Sequence, residues 1–480
     1  MSNQFNIFSM FDGVGGFIVG LDNANKKSGK EFYKTTYSNQ FEPSRKAQDA
    51  FEVGVYRFPE MNHSNQDIME VPNSYFDEMK ENGVNMIVGG FPCQDYSVAR
   101  SKKHEMGIQG KKGVLFWEII RATNHIRPEY LVLENVDRLL KSPSSQRGRD
   151  FAIMLAAFDQ LGYSVEWRVI NAADYGRAQR RRRVFFFVYR NDTDWAKRID
   201  EKYGVPEQIC DDTMYDDYIF QDGLFARQFP IVQKPYKSRQ WMQKLSEFRS
   251  DDEENYILDV SDNFTGAIWN TGIMRYGQYF TIDTEPTMEE KPMTLGDVVS
   301  QAKDAFIAEY ADKAEGEKAY AEYIDNYIIR DEAKLEKFHY LRGPKKIERT
   351  TADGHKWIYS EGGMSPYDSL NMPARTMLTS EGSVNRSTHF LKEDDNYRLI
   401  TPMEAELLQD FPLNWTKYKM TANGEAEVSD RMRMFFMGNA LVTGIVERIG
   451  QEMATIVKES ALGIGNKLPN QKQIIKATTF

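Results

Sequence analysis

"VNMIVGGFPCQDYSVAR", residues 84–100, holds an apolar run that ends in two glycines, then a proline–cysteine pair, then a polar and basic segment. A short continuous apolar run of this kind reads as a strand covered on both faces. "LVLEN" at 131–135 repeats the pattern, again running into polar residues at its carboxyl end. Around these two, the first 190 residues alternate short apolar runs with helical spacing, the signature of a parallel α/β sheet. Strands are expected near 5–11, 33–38, 85–90, 130–134 and 164–170, with a hairpin or strand near 183–189. Helices are expected over 15–25, 43–53, 73–82, 114–126 and 150–161. In open α/β sheets ligands and chemistry sit at the carboxyl edge of the strands, which is where Cys93 falls. A lone cysteine there is either a packed thiol or a nucleophile presented at the lip of the sheet.

The chain has 480 residues, of which 41% are apolar and 13% aromatic, enough to bury a core and to exclude wholesale disorder. Its two cysteines, Cys93 and Cys210, exclude a disulfide framework and a dedicated zinc site, and point to a reducing interior such as a cytoplasm. No metal site is expected. The N-terminus lacks the pattern of a signal peptide, and no apolar run approaches the roughly 18 to 20 residues that span a bilayer. The net charge of −10 does not exclude a nucleic-acid partner, because binding depends on where the charges sit. Acids crowd into 194–217, 249–262 and 301–336, whereas bases cluster in "ARSKKHEMGIQGKK" (99–112) and "GRAQRRRR" (176–183). After about 192 the chain becomes irregular and aromatic-rich, with turn signals such as "LRGP", "TADGH" and "SEGGMSP". One charged helix is expected over 296–328. Helical spacing resumes at 402 and again over 435–457, and the last dozen residues read as a loose tail.

"FSMFDGVGGF" (8–17) joins the first strand to the first helix. Glycines 13, 15 and 16 would let the backbone approach a ligand closely, with the helix N-terminus behind them. Ile18 stands where the third glycine of the dinucleotide fingerprint would fall, which disfavours a nicotinamide oxidoreductase. "YSNQFEP" (37–43) ends the second strand, where nucleotide-binding α/β domains place a residue that holds ribose hydroxyls. "QDI" (66–68) falls where a third strand offers an acid and an apolar residue to an adenine. Cys93, Glu134 and the arginines at 180–183 then line up on the edges of successive strands. A glycine-lined small-molecule site, a thiol, a carboxyl and a guanidinium would converge above one sheet.

With these residues the chain resembles the DNA (cytosine-5)-methyltransferases of bacterial restriction–modification systems. "FDGVGGF" resembles the family's cofactor loop, "GGFPCQDYS" its catalytic loop, and "ENV" (134–136) its catalytic glutamate motif. "QRRRRV" (179–184) is similar to its glutamine–arginine motif, "ARTMLTSEG" (374–382) to the motif that organises its recognition domain, and "GNALV" (438–442) to its final cofactor-side motif. The resemblance implies a Rossmann-like, S-adenosylmethionine-dependent α/β fold, with a mainly parallel sheet, helices on both faces, and a smaller mixed target-recognition domain. It divides the chain into a catalytic and cofactor-binding domain (1–192), a recognition domain (193–400), a hinge (401–434), a return helix (435–465) and a tail (466–480).

The resemblance also implies roles. Cys93 would attack C6 of a flipped-out cytosine, Glu134 would hold N3 and the exocyclic amine, and Arg183, supported by Arg181, would contact O2. S-adenosylmethionine, leaving as S-adenosylhomocysteine, would be held by Phe11, Gly13, Val14, Gly16, Asp67, Ile68, Pro92 and Asn439. Gln40 stands where the family usually places a ribose-binding acid, and as a neutral partner it should bind hydroxyls more weakly. Ser97, Arg100, Lys102 and Lys103 would meet the DNA backbone. Arg342, Lys345, Lys346 and Arg349, which accompany a turn glycine and aromatic residues in "FHYLRGPKKIERT" (338–350), are further candidates for DNA contact. The expected partner is double-stranded DNA carrying one short target sequence. A monomer in a bacterial cytoplasm or phage-infected cell is expected, beside a possible restriction endonuclease acting on the same site. An RNA-acting branch of the family has a shorter insert than 193–372, and a non-catalytic scaffold would be expected to lose one of Cys93, Glu134 and Arg183.

Overall fold

The computed structural model describes residues 4–91, 115–205, 217–234, 239–248, 256–351, 354–393 and 395–461. In chain order the first elements are β1 (Phe5–Met10), α1 (Gly16–Ser28), β2 (Tyr33–Asn39), α2 (Asp49–Arg57), β3 (Asn62–Ser64), α3 (Asn73–Glu81) and β4 (Met86–Gly90). They are followed by α4 (Leu115–Ile126), β5 (Tyr130–Val136), α5 (Arg149–Gln160), β6 (Tyr163–Asn171), β7 (Arg182–Arg190) and α6 (Asp194–Tyr203). Further on come β8 (Ile231–Gln233), β9 (Gln240–Lys244), β10 (Thr271–Arg275) and β11 (Gln278–Ile282).

One ten-stranded sheet runs β3-β2-β1-β4-β5-β7-β6-β10-β11-β9. From β3 to β5 all neighbours are parallel, as the βα alternation requires. From β7 onward the neighbours are antiparallel. Strands β9 to β11 come from the segment assigned above to a recognition domain beginning at 193. Their backbone hydrogen bonds make the strands between 240 and 282 a continuation of the same sheet. That extension was hidden because a short strand in an irregular, aromatic-rich segment has no helix after it to reveal a βα rhythm.

Successive side chains on each strand feed opposite faces, and both faces are apolar. On β7, Val184, Phe186 and Val188 join one core with α3, α4 and α5, while Phe185, Phe187 and Tyr189 join another with α1, α6 and residues 443–461. Burial on both sides explains why these strands read as unbroken apolar runs. The expected return helix is two helices, Asp430–Asn439 and Thr443–Ala461. Likewise the expected single helix at 296–328 is Leu295–Ala308 followed by Lys313–Asp325. Asp312 accepts the Glu315 N–H at 2.9 Å and starts the second helix afresh. The chain folds back there so that Phe306 stacks on Tyr323, with ring centroids 5.1 Å apart.

The recognition region carries two small hairpins. β13 (Lys345–Thr350) pairs with β14 (Lys356–Glu361), and β15 (Phe390–Glu393) with β16 (Asn396–Leu399). The strand Thr284–Pro286, β12, pairs with β8. A third core, with Met377, Leu408, Phe411 and Met437 among its members, joins the segment 374–437 to Val14, Val19 and Val53 at the first two helices.

Candidate active site

The turn after β1 is built for close approach. Phe11, Gly13 and Gly15 all take positive φ (55°, 61° and 87°), the last as the N-cap of α1. Gln40, at the end of β2, accepts the Gly13 N–H on Oε1 at 2.7 Å. Gln40 thus braces the turn with its side-chain carbonyl. Ser9 Oγ donates to Asp12 Oδ1 at 2.5 Å, yet burial pushes the Asp12 carboxyl up to about 6. From across the chain the Trp415 indole donates to the Val14 carbonyl at 2.7 Å. No local pattern pointed to Trp415, because its contact is made 401 residues away.

Next to this turn, β4 and β5 run in parallel with Gly90 registered against Glu134. A Cβ at Gly90 would sit 3.2 Å from Glu134 Oε2, so the strand end that leads to the proline–cysteine pair lies against this carboxylate. Arg183 Nε donates to Glu134 Oε1 at 2.8 Å. Burial raises the pKa of Glu134, opposed by the Arg183 and Arg181 guanidinium groups. Asn135 Nδ2 donates to the Phe91 carbonyl at 2.8 Å and pins the backbone just before Pro92. Sequence reading had not singled out this asparagine.

Arg181 does something different from Arg183. Its side chain is buried, and it donates to the Met377 carbonyl at 2.9 Å and the Gly438 carbonyl at 3.0 Å. Burial, then Arg183, lowers its pKa to about 9. Gln179 works in parallel, donating to the Leu408 carbonyl at 3.0 Å and accepting the Met377 N–H at 3.0 Å. Thr376 Oγ1 donates to the Arg180 carbonyl at 2.6 Å. The three motifs "QRRRRV", "ARTMLTSEG" and "GNALV" are thereby knotted together. Gly438 is needed for that knot, since a Cβ there would come within 2.4 Å of the Leu378 and Thr379 backbone.

A single cavity of about 460 Å³ joins these parts. Phe11, Gly13, Val14, Gly16, Gln40 and Asn439 line it, together with Glu134, Arg181 and Arg183. Its volume is in the range of small-molecule sites, about 300–1,000 Å³. Glu42, which follows Gln40 by two residues, also lines it and places a carboxylate there. Asp67 and Ile68 do not line it: Asp67 turns its carboxylate onto the Met69 N–H at 3.1 Å, and Ile68 is buried in the core. Cys93, Pro92, Ser97, Arg100, Lys102 and Lys103 lie outside the described residues.

Two of the residues expected at DNA have partners within the protein. Arg342 is buried and pairs with Asp368 at 2.6 Å, because the helix at 332–342 needs its last side chain as an anchor. Lys345 is held by the Leu341 carbonyl at 2.9 Å and packs near Glu361. Lys346 is exposed. Among the described residues no group of three or more His, Cys, Asp or Glu side chains is placed to hold a metal ion, and no helix is long and apolar enough to cross a membrane.

Comparison with known proteins bears on the whole chain. Residues 5–455 match the family model of C-5 cytosine-specific DNA methylases. The chain is 48% identical to the type II methyltransferase M.Sau3AI of Staphylococcus aureus, over 95% of this chain and 96% of that one. It is 31% identical to M.Eco47II of Escherichia coli over 45% of this chain and 48% of that one. Among solved structures, the S. pombe Dnmt2 methyltransferase aligns over 95% of this chain and 99% of its own with 11% identity and a TM-score of 0.49, too loose a likeness to bear on function. A glutamate–arginine pair beside a glycine-lined cavity, in a chain matched almost from end to end, makes this protein a member of the C-5 cytosine-specific DNA methylase family.

Proposed function

We propose that the enzyme methylates C5 of a cytosine flipped out of one short duplex DNA sequence, with Cys93 as nucleophile and S-adenosylmethionine as methyl donor. The observation that carries this reading is the Glu134–Arg183 pair, set in one cavity with the glycine turn and registered against the strand that leads to Cys93. The cavity suits the donor. A glycine turn at a helix N-terminus, the Gln40 amide, the Glu42 carboxylate and the exposed Asn439 provide polar partners, and Phe11 and Val14 apolar ones.

C5 of cytosine is a poor nucleophile until something adds to C6. The Cys93 thiolate forms the Sγ–C6 bond, and electron density moves onto C5, N3 and O2. Glu134, with its pKa raised by burial, supplies a proton or hydrogen bond at N3 and accepts one from the exocyclic amine. Arg183, oriented by Glu134, offers its remaining N–H groups to O2 as that oxygen gains charge. When bound in the cavity that Phe11, Gly13, Val14, Gly16, Gln40 and Asn439 line, S-adenosylmethionine would supply the methyl group that C5 takes. Removal of the C5 proton by a base then returns electrons to the ring, the Sγ–C6 bond breaks, and Cys93 leaves as thiolate. The base must leave the duplex stack for this, at a cost of a few kcal/mol. In this reading the enzyme acts as a monomer in the cytoplasm, and its methylation protects DNA from a restriction endonuclease that reads the same sequence.

The test is base-resolution mapping of 5-methylcytosine in plasmid DNA from a host without cytosine methylation that expresses this protein, beside Cys93→Ala. Methylation confined to one short motif, and lost in Cys93→Ala while cofactor binding survives, is expected. Methylation by Cys93→Ala would refute the covalent mechanism, and a plasmid left unmodified by folded protein would point to RNA instead.

A further inference from the structure

The hairpin β13–β14 stands out as a ribbon exposed on both faces. Ile358 is 65% exposed, Trp357 41% and Ile347 39%. A two-stranded ribbon is marginal by itself in water, and this one leaves large apolar side chains uncovered. Its base is nevertheless fixed. Arg386 pairs with Glu361 at 2.8 Å, and Arg342, on the helix that leads into the hairpin, pairs with Asp368. Asp368 also takes Arg375 at 2.6 Å, and the next residue, Thr376, bonds to the Arg180 carbonyl on the approach to β7. A run of charge pairs and hydrogen bonds, buried at Arg342 and Asp368, thus references the hairpin to the approach of β7.

The register sorts its side chains. Ile347 faces Tyr359 and Arg349 faces Trp357, so these four share one face. The Arg349 guanidinium lies 4.5 Å from the Tyr359 ring centroid and 5.8 Å from that of Trp357. Among the described residues no carboxylate pairs with Arg349: Glu348 is taken by Lys356 at 2.7 Å on the opposite face, and Glu361 by Arg386. An exposed guanidinium, steered by two aromatic rings and left with free donors, is poised for a planar acceptor pair. The major groove of B-DNA admits a two-stranded ribbon, and guanine presents O6 and N7 there as the acceptor pair that arginine reads.

We propose that β13–β14 enters the major groove of the target duplex and that Arg349 is a specificity-determining residue that reads a guanine of the recognition sequence. This rests on duplex DNA being the substrate. Ile347, on the same face as Arg349, then packs against base edges such as thymine methyl groups, while Ile358 and Lys346 lie on the opposite face of the ribbon. The experiment repeats the methylation mapping with Arg349→Ala and Arg349→Lys, and measures kcat/KM on the cognate duplex and on duplexes with each guanine replaced. Cofactor binding by each variant separates a lost reader from a lost fold. If Arg349→Ala fails to bind cofactor, Arg349→Lys carries the test.

Arg349→Ala is expected to lose roughly 10- to 100-fold in discrimination at one guanine and Arg349→Lys a part of that, because an ammonium lacks the planar fork preorganised for O6 and N7. Relaxed methylation at that one position supports the proposal. An unchanged motif with unchanged rates overturns it while leaving the methyltransferase reading intact. Absence of DNA methylation by the wild-type protein overturns that reading first and the hairpin's role with it.

Discussion

Replacing Arg181 by methionine tests whether this arginine serves the reacting base or the framework around it. The loss leaves the Met377 and Gly438 carbonyls without their side-chain donors. Orphaning two buried acceptors costs about 2–6 kcal/mol in total. Against this, the buried guanidinium is itself expensive: the fall of its pKa to about 9 corresponds to about 5 kcal/mol of charging cost, which a methionine would not bear. The two effects oppose each other, so unfolding in urea should show a change between about 1 kcal/mol of loss and about 3 kcal/mol of gain. The local consequence does not cancel. Arg181 is what ties 374–377 and 438–442 to the approach of β7, so the sites those segments shape should loosen together. KM for cofactor and for DNA should each rise about tenfold, the worth of one net hydrogen bond of about 1–1.5 kcal/mol. The turnover number at saturation should fall less. Steady-state methylation of a cognate duplex, with both substrates varied, reads all three. Unchanged KM values with a large drop in kcat would show that Arg181 acts on the base directly and would refute the framework role.

Gly438→Ala should cost about 1–3 kcal/mol and weaken cofactor binding, because its Cβ meets backbone rather than a flexible side chain; thermal unfolding with and without cofactor checks both. Asn135→Ala frees the Phe91 carbonyl ahead of Cys93 and should lower kcat while the cofactor Kd stays as it was; a shift in the cofactor Kd instead would place Asn135 in that site. Asp12, held near 6 by burial, keeps a proton that an unfolded aspartate has released by about pH 4, so its contribution makes stability fall as pH rises from about 4 to 6. Asp12→Asn should flatten that part of the stability curve, and an unaltered slope would contradict the assignment.

Much of the catalytic half was legible in the chain. Runs such as "MIVGG" and "LVLEN" are unbroken because both faces of the sheet are covered, and the βα alternation follows from their parallel connection. The recognition region was harder to read. A charged stretch such as 296–328 has helical spacing throughout, and its break at 309–312 is set by the return of Phe306 onto Tyr323, a contact that spacing does not encode. Basic residues misled for a similar reason. Arg342 and Arg349 look alike in "LRGPKKIERT", yet one is an internal anchor to Asp368 and the other lies exposed over two aromatic rings.

The sequence by itself determined the order and chemistry of the motifs: a glycine turn, a proline–cysteine lip, a glutamate, an arginine run and a late asparagine. Each is a local matter of residue type at the end of a strand or a helix. Tertiary structure alone decided which of these groups meet. It registered Gly90 against Glu134, turned Arg183 onto that carboxylate and Arg181 away to the carbonyls of Met377 and Gly438, and left Asp67 and Ile68 outside the shared cavity. It also extended the sheet with strands from beyond residue 230. Those outcomes depend on contacts between residues tens to hundreds of positions apart, where burial and hydrogen-bond satisfaction, rather than local pattern, set the result.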